Sequence, residues 1–151
     1  METAPSPGAS FPLPPMAKTL EVSLTWNHDQ VFDTHLATGS GPVLDGDGAE
    51  GASPTQAVAL ALGACMGIDV VSILKKGRHD LRALRVKVTG TRADGPPSYF
   101  TGWILHYEIT GPVPDAAIER AIALSRDTYC SVWHSLRRDA PLEVTYTRVD
   151  G

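Results

Sequence analysis

The stretch SPTQAVALALGACMGIDVVSILKKG, residues 53–77, decides how the rest of the chain is arranged. Ser53 suits an N-cap because its hydroxyl accepts a backbone N–H of the first turn, and Pro54 suits that turn because its missing N–H is not needed there. Helix formers follow, then Lys75 and Lys76 beside the last carbonyls, and Gly77 at the position just past the end. The spacing predicts one long helix. From Ala57 to Ile68 it shows no polar face, and a helix apolar all round is buried on all sides. A lone chain of 151 residues has difficulty wrapping such a helix, so a sheet from a second subunit is expected to help.

On the N-terminal side, KTLEVSLTW (18–26) alternates Leu20, Val22, Leu24 and Trp26 on one face and reads as a strand. Asn27-His28-Asp29 is a turn, and QVFDTHLAT (30–38) a second strand of the same hairpin. The glycine-rich residues 38–52 read as a loop. On the C-terminal side, residues 81–92 and 99–110 alternate again and form a second antiparallel hairpin around the loop ADGPPS. Asp115 is expected to cap a helix over 115–129, Cys130 to open a short helical piece, CSVWHSLRR, and LEVTYTRV (142–149) to be the last strand. Helices and strands are segregated in the order β-β-α-β-β-α-α-β, which is an α+β class with antiparallel or mixed sheets.

Composition narrows the function. The chain is 42% hydrophobic and 20% charged, as expected of one globular domain over residues 18–151. Residues 1–17, with five prolines in the first fifteen, read as a disordered tail, and Met16 as an alternative start. The net charge of −4 argues against nucleic acid as a partner. That charge is uneven: residues 1–74 hold one basic residue, Lys18, against eight acidic, and the remainder holds twelve basic against nine acidic. No secretory signal is visible, and the longest unbroken apolar or Gly run, 57–68, is too short to span a bilayer. A cytoplasmic protein with no membrane partner is expected. Five scattered histidines and a DGDG at 45–48, followed by Ala49 where a calcium loop needs a ligand, give no metal or cofactor site.

The chemistry then rests on two cysteines, Cys65 and Cys130. Free cysteine packs as a small hydrophobe, so an inert core is one reading; a functional thiol pair is the other. Cys65 lies twelve residues past Ser53, about 18 Å along a helix, too far for the N-terminal dipole to act on it. Asp69, one turn on, would raise its pKa. Cys130, at the expected helix start, has the dipole in its favour, with His134 four residues on as a base or donor.

The SPTQAVALALGACMGIDVVSILKK segment together with YCSVWHSL at 129–136 resembles the OsmC/Ohr superfamily, the osmotically inducible and organic hydroperoxide resistance proteins, over roughly residues 18–149. GIDVVSILKK is most similar to the OsmC-like branch. The resemblance implies an intertwined homodimer in which antiparallel sheets wrap two long central helices, with sites at the interface. It implies thiol peroxidase chemistry in oxidative stress defence: Cys65 attacks an organic hydroperoxide, Cys130 resolves the sulfenic acid, and an external dithiol restores both. Peroxide-reducing members pair the reactive cysteine with an N-terminal arginine and a glutamate just after the Ser-Pro. Here the first arginine is Arg78, and Thr55 and Gln56 follow Pro54. Thr55, Gln56, Asp69, Arg126, His134 and Arg137 are therefore the candidate supporting residues. Two other functions fit the same scaffold: a non-catalytic binder of an apolar ligand at the dimer interface, and a redox sensor.

Overall fold

The computed structural model describes residues 18–149, so the tail assigned to residues 1–17 lies outside the described residues. The central helix, α1 (Pro54–Lys76), is where the sequence puts it. Gln56 N–H donates to Ser53 Oγ at 3.2 Å, and Ser53 N–H donates to Gln56 Oε1 at 2.9 Å. This reciprocal cap satisfies two N–H groups that the helix cannot, a contribution of roughly 1 kcal/mol. The other end differs from expectation. Gly77 is not left-handed (φ −76°), and Arg78 takes the positive φ, 61°. The reversal comes one residue later because Gly77, Arg78 and His79 N–H groups still donate to Ile73, Lys75 and Leu74 carbonyls.

Two sheets accompany α1. The first holds β1 (Ser23–His28), β2 (Val31–Leu36), β3 (Gly39–Ser40) and β4 (Leu44–Asp45), with β2 pairing antiparallel to each of the others. Thus β1 starts later than the apolar alternation suggests, and the glycine-rich segment contributes two short strands. Leu20 and Val22 are exposed and outside any strand. The segment is anchored by Asp45, whose buried carboxylate accepts the Asp47, Ala49 and Glu50 N–H groups at 2.9, 3.1 and 2.9 Å. These bonds hold its pKa below the ordinary value. The acidic glycine loop is thus a backbone clasp.

The second sheet runs β5 (Ala83–Arg92), β6 (Phe100–Thr110), β7 (Leu142–Val149), antiparallel between β5 and β6 but parallel between β6 and β7. It is mixed because a parallel neighbour requires a crossover. That crossover carries α2 (Asp115–Leu124), a π-helical turn (Ser125–Tyr129) and a 3-10 turn (Trp133–Ser135). Asp115 is the first helical residue, not the cap; Pro114 stands at the cap and offers no side-chain bond.

The core lies between α1, α2 and the inner face of β6. Leu62, Met66, Val70 and Leu74 recur at one helix turn and meet Trp103, Leu105, Tyr107 and Ile109, which alternate along β6. Each such burial stabilises by about 1.5–3 kcal/mol. Gly63 lets α1 approach β5, since a Cβ there would lie 2.7 Å from Val88 Cγ2. By length and mean hydropathy (2.2 over eighteen residues) α1 would also span a bilayer, but its buried stripe makes it the core helix of this fold. Its opposite face is not covered within the chain, in keeping with the difficulty a lone chain has in wrapping a helix that is apolar all round. Leu60 is 64% and Ile68 68% exposed, beside a hollow of about 580 Å³ lined by Gly63, Ala64, Gly67, Val86 and Val88. The first sheet is likewise uncovered at Leu24, Trp26 and Phe32, which border a hollow of about 650 Å³.

Candidate functional site

Cys65 sits near the middle of α1, partly buried, its apolar neighbours Leu62 and Met66 turned into the core. Cys130 follows the π turn and is fully buried. The two elements are far apart in sequence, but Cys130 lies within the buried core and Cys65 packs against that core, close enough for the Cys65 thiol to act electrostatically on Cys130. Both are free.

The local structure at Cys130 differs from the helix start expected of it. Cys130 is extended (φ −72°, ψ 99°), and its N–H donates to Ser125 O at 2.8 Å, closing the π turn. Its sulfur accepts the Trp133 N–H at 3.3 Å. A dipole-stabilised thiolate is not the result. Burial pushes the Cys130 thiol up to about 11; the Trp133 N–H opposes that shift, and the Cys65 contact adds to it. Cys130 is therefore a protonated thiol at neutral pH.

The supporting residues suggested by sequence divide sharply. Asp69, one turn beyond Cys65, accepts the Ser125 hydroxyl at 2.8 Å, which ties α1 to the π turn. Gln56 and Thr55 belong to the helix cap, with Thr55 Oγ1 3.4 Å from Ser53 Oγ. His134 is exposed and its Nε2 donates to the Arg126 carbonyl at 2.9 Å, so its ring braces the π turn and is not directed at Cys130. Arg126 pairs with Asp127 at 3.3 Å, and Arg137 with Asp139 at 2.7 Å while stacking over Tyr99 at 4.1 Å. These cations are committed elsewhere, and the strongest influences on Cys130 are burial, backbone N–H groups and the other thiol.

Two site residues escaped the sequence reading. Ser125 is fully buried at the end of the stripe Ile118, Ala121, Ile122; a hydroxyl on that inward spacing was the available signal. Tyr107 is fully buried among the core residues, and Cys130 and Asp69 both act on it electrostatically. Its place in the inward alternation of β6 was legible, though not the use of its hydroxyl. Among the described residues no group of three His, Cys, Asp or Glu side chains is arranged for a metal.

The arrangement sets a partly accessible thiol, Cys65, and a buried, protonated one, Cys130, at the same core.

Comparison with known proteins agrees with this architecture. The family model for OsmC-like protein matches residues 46–145. Protein YhfA of Escherichia coli (strain K12) is 37% identical over 130 residues, covering 85% of this chain and 96% of that protein. The crystal structure of a hypothetical protein from Aquifex aeolicus VF5 superposes with a TM-score of 0.82 at 24% identity, covering 89% of this chain and 99% of that one. An organic hydroperoxide resistance protein OsmC from Legionella pneumophila gives 0.64 at 16% identity, covering 86% and 97%. At such identities these two structures bear on the fold alone. With the family match across most of the chain and a relative sharing more than a third of its residues, this chain belongs to the OsmC-like protein family.

Proposed function

We propose that this protein reduces organic hydroperoxides in the cytoplasm with Cys65 as the attacking thiol and Cys130 as the resolving one. The observation that carries the reading is the placement of both thiols at one core, Cys130 buried within it and the partly buried Cys65 packed against it. Cys65 as thiolate attacks one peroxide oxygen; the O–O bond breaks, the alkoxide leaves and takes up a proton as the alcohol, and Cys65 becomes a sulfenic acid. Cys130 then displaces the sulfenic oxygen as water. An external dithiol exchanges with the disulfide, is itself oxidised, and returns both thiols. The apolar surroundings favour an organic peroxide over hydrogen peroxide. With no arginine before Arg78 in the sequence, the first step is expected to run slower by on the order of a hundredfold than in members that have an N-terminal one.

The acting species in this reading is a homodimer. The uncovered apolar face of α1 and the uncovered face of the first sheet support it, because exposed apolar patches of this kind mark association surfaces. The test is turnover. With a dithiol present, cumene hydroperoxide is expected to be consumed catalytically and faster than hydrogen peroxide. Oxidation once, with no turnover under reductant, would favour a redox sensor. No oxidation, with a retained apolar ligand, would favour a binder; the hollow of about 650 Å³ beside Trp26 has the size for one.

A further inference from the structure

The inner face of β6 buries a phenol whose hydroxyl has no partner. Tyr107 is 0% exposed, and its Oη makes no hydrogen bond to any described residue. Leaving a buried donor unsatisfied is costly, and phenylalanine would fill the same space without that cost. Tyr107 and Cys130 belong to one buried core cluster, against which Cys65 packs. Cys130 and Asp69 are the ionisable groups that act on it. Asp69 Oδ2 already accepts the Ser125 hydroxyl. From β7, Tyr146 stands beside it in register, with its own hydroxyl donated to Glu119 at 3.0 Å; from β5 its neighbour is the apolar Val86. Cys65, on α1, packs against the cluster that holds Cys130 and acts electrostatically on that thiol. Burial pushes the Tyr107 phenol well above its ordinary pKa, so it keeps its proton and can donate it in a hydrogen bond.

We propose that Tyr107 donates a hydrogen bond to Cys130 Sγ as that sulfur ionises and bonds to Cys65. The inference rests on reading the pair as a redox couple. In the resolving step Cys130 Sγ loses its proton and attacks Cys65 Sγ. The S–O bond of the sulfenic acid breaks, the oxygen leaves with that proton as water, and the S–S bond forms. Tyr107 transfers nothing. It adds a fixed dipole opposite the negative charge that develops on a buried sulfur that accepts the Trp133 N–H in the dithiol state. A hydroxyl that is unpaired in the dithiol state and paired as charge appears is a donor reserved for that moment.

The test compares wild type with Tyr107→Phe in three readouts. The first follows disulfide closure after cumene hydroperoxide, with the sulfenic acid trapped by dimedone. The second follows closure driven by diamide, which adds to one thiol and is displaced by the other as its hydrazine, so no peroxide chemistry is involved. The third titrates the Cys130 thiolate by its ultraviolet absorbance in Cys65→Ser and Cys65→Ser/Tyr107→Phe proteins. Tyr107→Phe is expected to leave the first reaction of Cys65 unchanged and to slow closure by roughly ten- to a hundredfold with both oxidants. It is also expected to move the Cys130 titration to higher pH and to melt at or above the wild-type temperature. Closure at the wild-type rate with both oxidants, or an unmoved titration, would overturn the role of Tyr107. Wild type that closes with diamide but ignores the hydroperoxide would overturn the peroxide reading alone, and the diamide comparison would still decide on Tyr107. Wild type that closes with neither would overturn both.

Discussion

Replacing Cys65 with serine is expected to abolish hydroperoxide consumption, a loss of about a thousandfold or more, because serine offers no anion at neutral pH and the other thiol is inaccessible. Cys130 is fully buried and its pKa lies up at about 11, so it does not replace Cys65 as the first nucleophile. Cys130→Ser has a different signature. It should react with peroxide once, at a rate close to wild type, and stop as a sulfenic acid carrying one added oxygen. The two variants therefore separate attack from resolution. The pH dependence follows from the same burial. If Cys130 reacts as its thiolate, the reactive fraction rises about tenfold per pH unit below its pKa, so resolution should accelerate from pH 6 towards pH 9. Stopped-flow oxidation followed by mass spectrometry of the trapped species measures each step.

The second large effect concerns assembly. If the proposed dimer forms through α1, Ile68→Glu is expected to convert it to a monomer in size-exclusion chromatography with light scattering. Ile68 lies on the face of α1 turned away from the core and is 68% exposed in the single chain. In a dimer formed through this face, the carboxylate would be buried among Leu60, Ala64, Val86 and Val88 with no cation to meet it. An uncompensated buried charge costs about 3–5 kcal/mol, a weakening of at least about a hundredfold. The mutated side chain touches none of the buried stripe, so the monomer should keep its helix content. An unchanged dimer would place the interface elsewhere.

The reach of the sequence follows from how local each feature is. Alpha helix α1 was legible at its start because Ser53, Pro54 and Gln56 make their contacts with one another. Its end was less so, because three N–H groups donating backward past Gly77 moved the left-handed residue to Arg78. The strands β5 and β6 could be read from alternation, since one face of each meets the core. The alternation at 18–26 misled as to where β1 begins: the face bearing Leu20, Val22 and Leu24 is uncovered within the chain, so a pattern fit for burial does not fix the strand's start.

The candidate thiols were legible in the sequence and their surroundings were not. Cys65 and Cys130 could be named from the segments that resemble the family, whereas their placement at one core depends on a crossover that returns over the sheet. The π turn at Ser125–Tyr129 was hidden because its closing bond, Cys130 N–H to Ser125 O, replaces the expected helical pattern where Ser125 reaches Asp69 on α1. A π turn inserted at a helix end often marks a functional site; here it replaces the helix start expected at Cys130 and cancels the dipole argument. His134 was misjudged for the same reason, since helical spacing towards Cys130 ceased to apply once the segment became a turn.

The central claim is that Cys65 and Cys130 join within one chain when an organic hydroperoxide is reduced. The most direct measurement is the intact mass and free-thiol count of the reduced protein after one equivalent of cumene hydroperoxide, with peptide mapping of the product. The account predicts loss of about two mass units and of both thiols, with the peptides bearing Cys65 and Cys130 linked. An unchanged mass with two free thiols would contradict it.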